Sequence, residues 1–102
     1  MLDRAHFDHM TGADRVLQAE VANLFRAQAE IWAKACSAGE GWAAAIHTLK
    51  GSARGIGLVA LAHACEAAEA APEAMRADSL TSVRAALSEA LAALEQFAAE
   101  AA

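Results

Sequence analysis

The sequence predicts an all-α fold, an antiparallel four-helix bundle with a short extra helix at the N-terminus, and three observations carry that prediction. Of 102 residues, 57% are hydrophobic and 21% charged, the balance of a folded chain rather than a disordered one. Much of the apolar share is alanine, the best helix former, while Val, Ile and Thr are sparse and Tyr is absent. Apolar residues recur at steps of three and four over four long stretches, and one proline and six glycines leave few places to interrupt them. A single domain over residues 1–102 suits this length.

The elements follow in order. Residues Asp3 to Met10 form a short helix, with Leu2, His6, Phe7 and Met10 on one face. Thr11-Gly12-Ala13-Asp14 is a break and a fresh start, with Thr11 as the cap and Asp14 near the positive end of the helix dipole. A long helix runs on to about Ser37, its expected buried stripe being Leu17, Val21, Leu24, Gln28, Ile31 and Ala35, widened by Val16, Phe25 and Trp32. Ala38-Gly39-Glu40-Gly41 ends it. A third helix spans Trp42 to Ile56 and closes at Gly55-Ile56-Gly57. Leu58 opens a fourth, with Leu58, Leu61, Ala62, Cys65 and Ala68 along one side, and Ala71-Pro72 ends it. Pro72 to Ser79 is expected to be a loop or the frayed start of the next helix. The last helix then runs from Leu80 to Ala98, with Leu80, Val83, Leu87, Leu91, Leu94 and Phe97 in register. Short connections between amphipathic helices make the bundle antiparallel.

Composition also excludes functions. A net charge of −5 argues against nucleic acid as a partner and against docking on anionic lipid. Asp3, Arg4, His6 and Asp8 break any signal-like apolar run, and no stretch approaches the roughly 18 apolar residues of a membrane span. A cytoplasmic location and a free-standing chain are the expectations. In that setting Cys36 and Cys65 read as small buried hydrophobes rather than a disulfide. His6 and His9 have metal-ligand spacing but no third ligand nearby, so no metal site is expected. Trp32 and Trp42 read as core aromatics, and Glu89, Glu95 and Glu100 as a solvated face.

The third helix carries the chemistry. At about 100° per residue, Trp42, Ile46, Leu49, Ala53 and Ile56 cluster on one side, which must be buried. His47, Lys50, Gly51 and Arg54 fall on the other. A neutral imidazole is a good nucleophile near pH 7, because its unperturbed pKa is about 6.5. Once phosphorylated it carries an anion that Lys50, one turn on, can meet with its ammonium, and Arg54 adds a second cation. Gly51 removes the side chain that would shield the ring. A helical glycine costs roughly 1 kcal/mol against alanine, and close approach of a partner gives it a reason. Ser52 points partly inward and His63, on the next helix, toward the bundle edge near His47.

The run His47-Thr48-Leu49-Lys50-Gly51-Ser52-Ala53-Arg54-Gly55-Ile56-Gly57, with Leu61 beyond it, resembles the signature of histidine-phosphotransfer (HPt) domains. That signature is His-x-x-Lys-Gly-Ser/Ala, a glycine ten residues after the histidine and a leucine in the next helix. The resemblance implies a phosphorelay intermediate in which His47 accepts a phosphoryl group from an aspartyl phosphate of a response-regulator receiver domain and passes it to another receiver. It implies receiver domains, and a hybrid histidine kinase, as partners. It implies no cofactor of the chain's own, since the receiver brings the Mg²⁺, and the chain has neither a GxxxxGK[ST] run nor an ATP lid. Many relatives place a glutamine in the next helix; here that stretch offers His63, Glu66 and Glu69, no such role is carried over, and a carboxylate beside the phosphate is expected to weaken its binding and leave the phosphoryl group more labile. The competing reading is a helical interaction protein that docks on a kinase or receiver without being phosphorylated. With one complete core the chain is expected to be a monomer, and an exposed apolar patch would signal otherwise.

Overall fold

The computed structural model describes residues 2–35 and 41–101 and is helical, as expected. Helix α1 spans Arg4–Thr11, α2 Arg15–Ala35, α3 Trp42–Ile56, α4 Val59–Ala70 and α5 Arg76–Ala101, with a 3₁₀ turn over Glu73–Met75. Cys36, the end of α2 near Ser37 and the break at 38–40 lie outside the described residues. Each of α2, α3, α4 and α5 packs on two neighbours, closing a ring of four, and α1 lies across one end against α2 and α3. The antiparallel sense shows in the pairs that meet. Arg54 reaches Glu66 while Lys50 reaches Glu69, and Phe7, Arg15 and Val16 share a groove with Leu94 and Phe97. No helix among the described residues is long and apolar enough to cross a membrane.

The core is built from the faces that periodicity assigns on α3, α4 and α5. Ile46, Leu49, Ala53 and Ile56 of α3 are buried against Leu58, Leu61, Ala62, Cys65 and Ala68, and against Leu80, Val83, Leu87, Ala90 and Leu94. Trp42 is only half-buried, its ring covered by the Arg76 guanidinium 4.4 Å from the centroid. Trp32 is also half-buried and tilts against Phe25. Glu95 and Glu100 of α5 are exposed, but not merely solvated: they pair with Arg26 and Arg4.

Helix α2 is rotated from expectation. Its buried residues are Gln18, Ala22, Phe25 and Ala29, while Leu17, Leu24 and Ile31 face outward with Val16. The helix carries two apolar stripes about 100° apart, and contacts at its start select between them. Gln18 donates to Asp8 Oδ1 (2.7 Å) and Thr11 Oγ1 (2.9 Å), and accepts from Arg15, so its buried amide is satisfied only in this rotation. Capping differs too. Thr11 ends α1, its hydroxyl donating to Phe7 O at 2.7 Å, and the cap of α2 is Asp14, whose Oδ1 accepts from the amides of Val16 and Leu17.

Of the two readings of the segment after Pro72, the helix start is the one observed: a 3₁₀ turn leads into the first turn of α5, with Asp78 at the helix's positive end. Pro72 and the polar residues after it interrupt the apolar pattern locally, but Arg76 lying on Trp42 gives that turn a tertiary anchor.

Helix α1 is fastened to the α3–α4 corner. Asp3 N donates to Gly57 O at 2.7 Å, Leu2 bridges to Leu58, and His6 Nε2 donates to Gly55 O at 3.2 Å. Gly57 has φ +96, and a Cβ there would lie 3.0 Å from Asp3 O and 3.2 Å from His6 Cδ2. Only glycine fits both the turn and the closeness of α1. Elsewhere on α1 the Phe97 ring meets Phe7 edge-on at 5.3 Å and lies beside the guanidinium groups of Arg4 and of Arg15 in α2.

Chemical denaturation should therefore show Leu49→Ala losing about 2–5 kcal/mol, the cost of a cavity in a core with no exposed side to relax into. Gly57→Ala should lose at least about 1 kcal/mol, from the strained φ and from displacement of α1.

Candidate functional site

The buried face of α3 leaves its opposite face to solvent, and His47 sits there with 77% of its side chain exposed. Gly51, one turn on, is also exposed, and a Cβ built on it would meet nothing within 4 Å. The conformation of Gly51 is ordinary helix and no neighbour crowds it, so packing within the chain gives no reason for a glycine there.

The remaining members of the cluster depend on α4. The turn at Gly57-Leu58 folds α4 back along α3, so acidic residues of α4 come level with basic residues of α3. Lys50 Nζ lies 2.5 Å from Glu69 Oε1, and the other oxygen of Glu69 lies 3.8 Å from His47 Nδ1. Lys50 is therefore not a free cation on a wet face: only 18% of its side chain is exposed, and its head group is held by Glu69. The Lys50 hydrogen bond holds the Glu69 carboxyl below its ordinary pKa; partial burial opposes this, and the charges of Lys50, His47 and Arg54 assist. Arg54 makes an exposed pair with Glu66 at 3.2 Å.

His63 does not sit beside His47. It lines a shallow groove of about 260 Å³ at the corner of α1, α3 and α4, with Asp3, His6, Arg54, Gly57 and Glu66. Ser52 turns toward α2, in a groove with Val21, Leu24 and Gln28. Among the described residues no group of three or more His, Cys, Asp or Glu side chains is placed to hold a metal ion. The Hpt domain family model matches residues 13–99, most of the chain and all of α2 to α4.

The chain belongs to the Hpt domain family.

Hpt domains serve phosphotransfer in two-component signalling, as phosphocarriers rather than enzymes with their own catalytic site. No curated protein and no solved structure matches the chain. Of the three α4 residues the sequence offers near the site, His63, Glu66 and Glu69, it is Glu69 that stands against Lys50 and His47 in this Hpt domain. Its distance from Lys50 is visible only once α4 is paired with α3, although a carboxylate on the α3-facing edge of the next helix was a signal available in the sequence.

Because the pKa of Glu69 is depressed in the fold, its contribution to stability is complete above the ordinary carboxylate range and fades as pH falls through the folded value. Glu69→Gln should thus destabilise the domain by up to about 1 kcal/mol at pH 7, and the gap to wild type should narrow progressively once the pH falls below the ordinary carboxylate range. Urea titrations of both proteins at pH 7 and at lower pH measure it.

Proposed function

We propose that this Hpt domain is a phosphorelay intermediate whose phosphoacceptor is His47, taking its phosphoryl group from a receiver aspartate and delivering it to another receiver. The observation that carries the reading is an open imidazole beside an unfilled glycine, on the outer face of a helix whose other face is buried. A nucleophile in a carrier must be reached by a partner's active site, so exposure is here a requirement and not an accident of the surface.

The step is a simple exchange. Glu69 stands on the Nδ1 side of the ring, so in this reading Nδ1 carries the proton and Nε2, facing solvent, is the nucleophile. Nε2 attacks the phosphorus of the aspartyl phosphate, the N–P bond forms, and the P–O bond to the aspartyl carboxyl breaks, returning the aspartate as carboxylate. The ring then bears a positive charge that Glu69 stabilises, with the Nδ1 proton in place. A protonated ring is the better leaving group, so the same contact favours onward transfer. Lys50 supplies charge to the phosphoryl oxygens only by sharing itself with Glu69, which limits how tightly the phosphoryl group is held. The receiver contributes Mg²⁺ and the acidic pocket. Ala43, Ala44, Gly51 and Gly55 give a smooth approach for it, while Arg54 and Lys50 influence the encounter rate.

The decisive experiment offers phosphorylated receiver domains to wild type and His47→Gln side by side. An acid-labile, alkali-stable label on wild type that is absent from the variant is expected. Labelling of His47→Gln, or no labelling of wild type by any receiver, would reject the assignment. Gly51 gives a second check, because it serves access rather than folding. Gly51→Ala should stabilise the domain by about 0.5–1 kcal/mol, and Gly51→Leu should slow phosphoryl uptake without loss of melting temperature.

A further inference from the structure

We propose that the outward stripe of α2 joins two copies of this chain, antiparallel, about a two-fold axis near Ala27. Leu17, Val21, Leu24, Gln28 and Ile31 follow one another at steps of four, three, four and three, the 3.5-residue average of a two-helix seam. Most of this seam lies outside the chain's own core, with Val21 alone partly buried against it. Leu24 is 68% exposed and Ile31 59%, whereas the neighbouring stripe of Gln18, Ala22, Phe25 and Ala29 is the one buried. An apolar row broken only by Gln28, on a chain of net charge −5, is the surface expected of an interface.

The charges beside the seam select the occupant. Along the solvent edge of the stripe stand Glu20, Ala27 and Lys34, seven residues apart, and neither charge has an ion-pair partner among the described residues. When two copies of α2 run antiparallel and centre on Ala27, this edge faces itself, and each Glu20 meets the Lys34 of the other copy. Val21 then packs on Ile31, and Leu24 lies on Gln28. In a parallel pair the edge would face Gln18 and Phe25, which the core already holds. The surface is thus complementary to its own two-fold image, as an isologous interface requires. A groove of about 240 Å³ between α2 and α3, lined by Val21, Leu24, Gln28, Trp32, Ser52 and Ile56, gives the incoming side chains room. His47 leans toward α4 on the other side of α3 and stays uncovered.

The seam from Leu17 to Ile31 is only about 21 Å long at a rise of about 1.5 Å per residue, so the dimer is weak and concentration-dependent. Sedimentation of the full chain from about 10 μM to 1 mM tests it, with Leu24→Glu, Glu20→Lys and the double variant Glu20→Lys/Lys34→Glu; circular dichroism checks that each folds, and Ile31→Glu replaces Leu24→Glu if that variant does not. Wild type should show a monomer–dimer equilibrium, Leu24→Glu should be monomeric, Glu20→Lys should weaken dimerisation about tenfold, and the double variant should restore it. A monomeric wild type at 1 mM would overturn the proposal, as would a dimer that survives Leu24→Glu, or a double variant no better than Glu20→Lys. A monomeric wild type in which Leu24→Glu instead slows phosphoryl uptake would assign the stripe to the receiver.

Discussion

Burial of Ile46, Leu49, Ala53 and Ile56 along one side of α3 is the constraint from which the site follows. Each of these side chains is removed from water by α4 and α5, and together they hold the helix in one rotation. Turning α3 by even one residue would expose two of them and bury His47, whose ring has no partner inside the core. The imidazole is therefore held outward by the hydrophobic effect acting on its neighbours rather than by any bond of its own. A rigid helix is a good mount for a group that must be met by another protein's active site, since the partner pays no ordering cost on this side.

The second determinant is the corner between α3 and α4. Gly57 takes a left-handed conformation there, its carbonyl receives the amide of Asp3, and its missing side chain lets α1 close over the corner. Phe7 and the pair of arginines about Phe97 fasten α1 to the end of α5 as well. This small helix lies far from His47 in sequence, yet it braces the turn that decides which residues of α4 stand level with α3.

That alignment sets the electrostatics. Glu69 serves two neighbours at once, binding Lys50 and standing near His47, and Glu66 does the same service for Arg54. The site is thus internally neutralised before any phosphate arrives. An arriving phosphoryl anion has to share Lys50 with Glu69, so in the proposed relay the histidine is a waypoint rather than a store. A carboxylate that supports a protonated phosphohistidine and competes for its cation acts in the same direction twice, toward release.

The faces of α3, α4 and α5 were legible because each helix carries a single apolar stripe, and a single stripe has one way to be buried. The outward position of His47, Gly51 and Arg54 was legible for the same reason, whereas Lys50 proved mostly covered and paired with Glu69. Helix α2 was not legible, since two stripes compete along it, and the amide of Gln18 hydrogen-bonded to Asp8 and Thr11 settles which one turns inward. The early start of α5 depends on Arg76 lying over Trp42, a contact between residues distant in the chain. By itself, then, the sequence determined the helices, the buried face of α3 and the outward histidine, because these rest on periodicity within one element. Only the tertiary structure decided the rotation of α2, the clamp of α1 on Gly57 and the placement of Glu69 between Lys50 and His47. Each of those depends on how two helices align, and no local pattern encodes that alignment.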